Sequence, residues 1–140
     1  MPRYNPNQSR CVLQNIPGAP RVLPLICYEA IFPEFVRSPD ERASWIYTLS
    51  NDAWFGPTAG PRQHFNQASY RSIESGLPMV RSAALGVSGV VDALGRPVVT
   101  LDPSGEGVRD VALPGELGRT PYSLWGDAPF LAFCLLVLLG

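Results

Sequence analysis

Lysine is absent from this chain: all eleven basic residues are arginine. Any chemistry that needs a lysine amine must therefore draw it from elsewhere. Histidine occurs once, at His64, so the usual tetrahedral zinc set cannot be assembled. The three cysteines, Cys11, Cys27 and Cys134, form no C-x-x-C pair, which excludes a disulfide framework and a redox motif and leaves no structural metal expected. Excess charge is also lacking. Eleven basic and twelve acidic groups nearly cancel, no like-charge run stands out, and nucleic acid is not an expected partner. The polar, proline-bearing start, residues 1–10, has no apolar stretch that would make it a secretory signal.

What is present suits one domain of ordinary size, since 140 residues can bury a full core. Residues 21–27, RVLPLIC, read as a buried strand that delivers Cys27 at its end, with Pro24 marking an edge or a bulge. Pro33 then opens a short helix in PEFVRS. Residues 44–50, SWIYTLS, form a second strand that runs into the turn Asn51-Asp52, and the Gly- and Pro-rich loop 51–61 has no regular structure. Between residues 63 and 76 an amphipathic helix is expected. Phe65, Ala68, Ser69, Ser72, Ile73 and Gly76 make its packing face, and Asn66, Gln67, Tyr70, Arg71 and Glu74 its outer face. Strands follow at 79–83, 87–93 and 97–101, the last two joined by Leu94-Gly95-Arg96, and 108–113 could add another. Alternating strands and helices followed by consecutive strands predict an α/β fold with a mixed sheet.

The far end, residues 128–140, APFLAFCLLVLLG, carries no charge. A helix of that length covers only about 20 Å of a bilayer core roughly 30 Å thick. It reads either as the start of a transmembrane helix or as a buried terminal helix. Tyr122 and Trp125 just before it suit a water–membrane interface, or are two ordinary surface aromatics.

A cysteine at a strand-to-helix turn is a candidate nucleophile, because backbone N–H groups there can hold an oxyanion; the plain alternative is an inert packed thiol. His64 at a helix start reads as a cap or a surface residue rather than a base. Asn51, Asp52 and Gly56 suit a turn, and Trp54 and Phe55 could belong to the core.

Taken in order, PLICYE at 24–29, SNDAWFG at 50–56, GP-x-QH at 60–64 and LP-x-VRSAALGVSG at 77–89 resemble the apolipoprotein N-acyltransferases of the nitrilase, or carbon–nitrogen hydrolase, superfamily. The likeness runs from about residue 21 to the end. It implies part of an αββα sandwich with a Glu-Lys-Cys triad, held at the periplasmic side of a bacterial inner membrane. It further implies acyl transfer from a phospholipid through a cysteine thioester to the N-terminal amine of a diacylglyceryl-cysteine lipoprotein, without cofactor or metal. On this chain it assigns Cys27 as nucleophile, the Tyr28 backbone N–H as oxyanion donor and Glu29 as a supporting residue. Trp54 and Phe55 fall in a loop near the acyl site, and Arg81 and Ser82 in its wall. The family usually has Asn or Thr where Leu85 precedes Gly86. The family's glutamate and lysine lie upstream of the cysteine strand, so the resemblance implies a C-terminal fragment, inactive alone, whose partners are phospholipid, lipoprotein, membrane and the missing N-terminal half.

The expected organisation is a poorly structured segment 1–20, the C-terminal half of the catalytic domain at 21–117, a juxtamembrane segment 118–127 and a partial transmembrane helix 128–140. Two other readings remain at this point: a carbon–nitrogen hydrolase that cleaves a small amide with water, and a non-catalytic membrane-tethered module.

Overall fold

The computed structural model describes residues 16–37, 42–102 and 107–139. Cys11 and most of the expected 1–20 segment lie outside the described residues. Among the described residues five strands form one sheet: β1 (Val22–Ile26), β2 (Trp45–Asn51), β3 (Met79–Ala84), β4 (Ser88–Val91) and β5 (Pro97–Leu101), in the order β1-β2-β3-β4-β5. The first three run parallel, β4 pairs antiparallel with β3 and β5 antiparallel with β4, so the sheet is mixed as the element order implies. Pro24 sits on the edge strand β1, where its missing N–H breaks no central ladder.

The long helix α1 (Gly60–Ser75) supplies the crossover between β2 and β3. It starts three residues earlier than its periodicity suggests, because Pro61 near its start needs no N–H partner there. It ends at Gly76, whose φ of 70° is the left-handed cap that a side chain would resist. The helix rests on one face of the sheet, where Leu23, Leu25, Ile46, Phe65, Ala68 and Met79 belong to a single buried cluster. Each larger apolar side chain in it contributes on the order of 1.5–3 kcal/mol by leaving water.

Two details of the helix differ from the expected pattern. Ile73 is exposed, whereas Arg71 is buried. The cause is polar: Arg71 Nη1 donates to the Ile31 carbonyl at 2.8 Å and Nη2 to Glu74 at 2.7 Å, so the guanidinium ties the helix to the segment that follows Cys27. The loop 51–61 is also more regular than expected, with a 3-10 turn at Ala53–Phe55. Residues 108–113 form no strand. Val108 is 84% exposed, and the segment does not pair with the sheet. Further on, Leu117 N–H reaches the Gly76 carbonyl at 2.8 Å and Arg42 bonds the Leu117 carbonyl, which ties this stretch to the end of α1.

Thr120 caps the short helix α2 (Pro121–Trp125), accepting the Ser123 N–H at 3.0 Å. The apolar helix α3 (Ala128–Leu139) follows, and none of its residues is buried. The described residues thus offer no packing that would make it a buried terminal helix. Among the described residues no helix is long and apolar enough to cross a membrane.

On the sheet face away from α1, Pro24, Tyr47, Val80, Val90 and Val99 stand in register across all five strands. All five are only half-buried.

Candidate active site

Polypeptide geometry changes abruptly at Cys27. Ile26 is extended, with φ −103° and ψ 117°, and the next residue opens the 3-10 helix Cys27–Ile31. Cys27 itself has φ 50°, a left-handed value that costs a non-glycine residue on the order of 1 kcal/mol or more and persists only when the surroundings enforce it. One enforcing contact is local: Glu29 reaches back across the bend and its carboxylate accepts the Ile26 N–H at 2.9 Å. Arg71, through the Ile31 carbonyl, holds the other end.

The bend lies at the C-terminal end of β1, beside the matching end of β2. Side chains alternate along a strand, so Ile46, Thr48 and Ser50 share the face covered by α1. Ser50 Oγ thereby comes within 3.7 Å of Cys27 Sγ. The same hydroxyl is 2.6 Å from Asp52 Oδ1.

Asp52 is the hub of a buried charged cluster. Its Oδ2 accepts from Arg81 Nη2 at 2.9 Å, and its Oδ1 lies 2.9 Å from His64 Nδ1. Asp52 is fully buried, and Arg81 and His64 are each 2% exposed. Burial alone would raise the Asp52 carboxyl, but the Ser50 and His64 hydrogen bonds and the charges of Arg81 and His64 outweigh it and hold it below its ordinary value. Burial lowers the Arg81 guanidinium from its usual value, against the opposing pull of Asp52 and Cys27.

His64 Nδ1 is also 3.1 Å from Arg81 Nη2. Asp52 can only accept and Arg81 can only donate, and one ring nitrogen cannot satisfy both; Asp52 is the nearer at 2.9 Å against 3.1 Å, and the tautomer with its proton on Nδ1 donates to it. Arg81 Nε donates to the Val87 carbonyl at 3.3 Å, which fixes the fork between β3 and the start of β4. Gly86 closes the cluster from above: a Cβ there would overlap Asp52 Oδ2 and lie 2.8 Å from its Cγ.

Aromatic rings surround this polar centre. Tyr28 stands 6.2 Å from Trp54 and 6.0 Å from His64, centroid to centroid. Trp54 stacks on Phe55 at 4.5 Å, and Phe55 lies 5.8 Å from His64. Trp54 is 65% exposed, so its ring is free to meet a ligand.

Of the residues singled out from sequence, Cys27, Tyr28, Glu29, Trp54, Phe55 and Arg81 gather at this end of the sheet. Ser82 does not. It is exposed and pairs with Leu49, which pairs with Ile26, on the sheet face opposite Arg81. His64, expected as a cap or surface residue, is instead a buried partner of Asp52, and Asp52 is not a surface turn residue. Ser50 and Gly86 carry no singular feature in the sequence. The available signal was the period-two polar series Thr48, Ser50, Asp52 running off the end of a strand whose alternate residues Trp45, Tyr47 and Leu49 are apolar or aromatic.

The carbon-nitrogen hydrolase family profile matches residues 6–122. Over 124 residues, 89% of this chain, the sequence is 50% identical to the apolipoprotein N-acyltransferase of Bradyrhizobium diazoefficiens and 47% identical to that of Rhodopseudomonas palustris. The chain spans 23% of the length of each of these relatives. Two solved structures share the fold. One is a carbon–nitrogen hydrolase from Helicobacter pylori, with TM-score 0.53 and 19% identity over 62% of this chain and 38% of that one. The other is a CN-hydrolase superfamily protein from Xanthomonas campestris with an arsenic adduct in its active site, with TM-score 0.55 and 19% identity over 94% of this chain and 52% of that one. The mixed sheet, its crossover helix and the family match agree: this chain belongs to the carbon–nitrogen hydrolase family of enzymes.

Proposed function

We propose that this chain is the cysteine-bearing part of an apolipoprotein N-acyltransferase, with Cys27 carrying a fatty acyl group as a thioester. The observation that supports this most is the placement of Cys27 at an enforced left-handed bend beside exposed aromatic rings, within a sequence half identical to such enzymes. A packed structural thiol has no need of that backbone conformation.

In the reaction a glutamate takes the thiol proton, and the sulfur attacks the ester carbonyl of a phospholipid. The tetrahedral intermediate collapses to a thioester as the lysophospholipid oxygen leaves with a proton. The free amine of a diacylglyceryl-cysteine then attacks the thioester, loses a proton, and releases Cys27 as the amide forms. Oxyanion stabilisation falls to the Tyr28 N–H and a lysine ammonium; losing one such donor typically costs about 10²–10³-fold in rate. The chain has no lysine, so it does not catalyse this reaction unaided. The glutamate and lysine come from a segment that completes the αββα sandwich, and the half-exposed row from Pro24 to Val99 offers that segment's sheet a face to pack on. Trp54 and Phe55 guide the acyl chain. Glu29 holds the bend, and Ser82 faces the second sheet. Helix α3, apolar on every side, belongs in or at the bilayer of the inner membrane, with the site on the periplasmic side, where both lipid substrates are within reach.

The test is a chimera in which this chain replaces the matching segment of the Bradyrhizobium relative. The expected result is N-acylation of a diacylglyceryl lipopeptide, abolished by Cys27→Ala. A folded chimera that hydrolyses small amides and leaves the lipopeptide unmodified overturns the acyltransferase reading, and retained transfer in the Cys27→Ala chimera overturns the role of the sulfur.

A further inference from the structure

We propose that Ser50 is a positioning residue for Cys27: anchored by the buried cluster of Asp52, His64 and Arg81, its oxygen accepts the S–H of the resting thiol and so fixes which way the sulfur lone pairs face. A single proton sets the direction of this contact. At 2.6 Å, the Ser50–Asp52 contact has the length of a hydroxyl donating to an ionised carboxylate. A serine hydroxyl has one proton to give and a carboxylate none, so that proton is committed to Asp52. Only oxygen lone pairs remain to face Cys27 Sγ at 3.7 Å, and the sulfur must supply the hydrogen between them.

Asp52 cannot move to release Ser50. Its two oxygens are held by His64 and Arg81, the Asp52 N–H donates to the Ala84 carbonyl at 2.9 Å, and Gly86 leaves no free space beside Oδ2. Cys27 is fixed from its own side by the bend. The titratable and charged groups around the thiol are Tyr28 and Glu29 on its own 3-10 helix, Asp52 at the end of β2, His64 on α1 and Arg81 on β3. Ser50, which is not titratable in this range, is within hydrogen-bonding distance of the sulfur at 3.7 Å.

Two consequences follow from a lone pair aimed at the sulfur. The S–H hydrogen bond to the serine oxygen exists only while the thiol holds its proton. It also turns the reactive lone pairs away from the sheet. Ser50 thus holds the nucleophile aimed until a base removes its proton, with no net proton change in the cluster. The significance for acyl transfer rests on the function proposed above, but the thiol geometry does not.

The experiment measures the pH–rate profile of iodoacetamide alkylation at Cys27 in the 140-residue chain, read by peptide mass so that Cys11 and Cys134 are scored separately. Ser50→Ala should displace the profile to lower pH, read as a roughly three-fold faster reaction at neutral pH. Ser50→Thr, which keeps the hydroxyl, should restore the parent profile. Circular dichroism shows that each variant is folded. An unchanged profile overturns the proposal, as does a displacement to higher pH, which would mean that Ser50 donates to the thiolate. A fall that threonine does not restore also overturns it. Because this readout involves no lipid, its failure is distinct from failure of the chimera to transfer acyl groups.

Discussion

Gly86→Ala puts the buried cluster under direct test, because the cause of its effect is purely steric. Gly86 is not among the residues with positive φ, so alanine brings no backbone strain. Its Cβ would nevertheless overlap Asp52 Oδ2 and stand 2.8 Å from Asp52 Cγ and 2.9 Å from Ala83 Cβ. Carbon–carbon contacts below about 3.5 Å are already repulsive, so the carboxylate must shift by more than half an ångström. Asp52 is fully buried, and its Oδ2 is the oxygen that Arg81 holds at 2.9 Å. Overpacking of this kind costs about 1–3 kcal/mol, and opening a buried ion pair about 3–5 kcal/mol. Partial opening places the expected loss near 3 kcal/mol. For a chain of this length that lowers Tm by roughly 10 °C. Gly115→Ala is the matched control, since a Cβ there meets nothing within 4 Å. Thermal unfolding followed by circular dichroism compares the two. A Gly86→Ala variant that melts within a degree or two of the parent would refute the account of a rigid cluster closed by Gly86.

The Asp52 carboxyl is held below its ordinary value, so its contribution to stability is full above the unfolded-state value of about 3.9 and is lost as pH falls through the lower folded-state value. Urea titrations from pH 6 down to pH 2 should show that loss in the parent chain and a flatter dependence in Asp52→Asn. Arg81→Met strips a buried carboxylate of its partner and should destabilise by about 3–5 kcal/mol in the same titration. Trp54→Ala, at a ring 65% exposed, should leave Tm nearly unchanged while lowering acyl transfer by the chimera. Thr120→Ala removes the cap of α2 and should cost about 1 kcal/mol, read as a small fall in the urea midpoint.

Much of the fold could be read along the chain because local chemistry and tertiary structure agree there. The branched run before Cys27, the β-rich stretch from Trp45 and the turn at Gly95 each specify their conformation within a few residues, and Gly95 does take φ 78°. Helix α1 was legible as a helix but not in its facing. Side-chain polarity alone puts Ile73 inside and Arg71 outside, and the reverse holds because a long arginine can bury its stem while its head reaches the Ile31 carbonyl. Residues 108–113 mislead in the opposite sense: their apolar side chains suit a strand, but a strand also needs a neighbour, and that pairing is not a property of the segment.

The site divides in the same way. Cys27 stands out because a strand, a cysteine and a following turn are contiguous. The cluster behind it does not, since Ser50, Asp52, His64 and Arg81 come from two strands and a helix and meet only after the parallel crossover forms. Asp52 was disguised by composition, because Asn-Asp ahead of a Gly- and Pro-rich loop is ordinary turn chemistry. His64 was disguised by position at the start of a helix. Burial changes the roles of both: a carboxylate with no access to water must be paired, and here it is paired with three donors.

The most direct measurement of the central claim is the mass of the Cys27-containing peptide from the chimera after incubation with phospholipid alone, before any amine acceptor is added. The account predicts a fatty acyl increment on Cys27 that neutral hydroxylamine removes and that vanishes when the lipopeptide is supplied. An unmodified Cys27 in a chimera that still transfers acyl groups would contradict it.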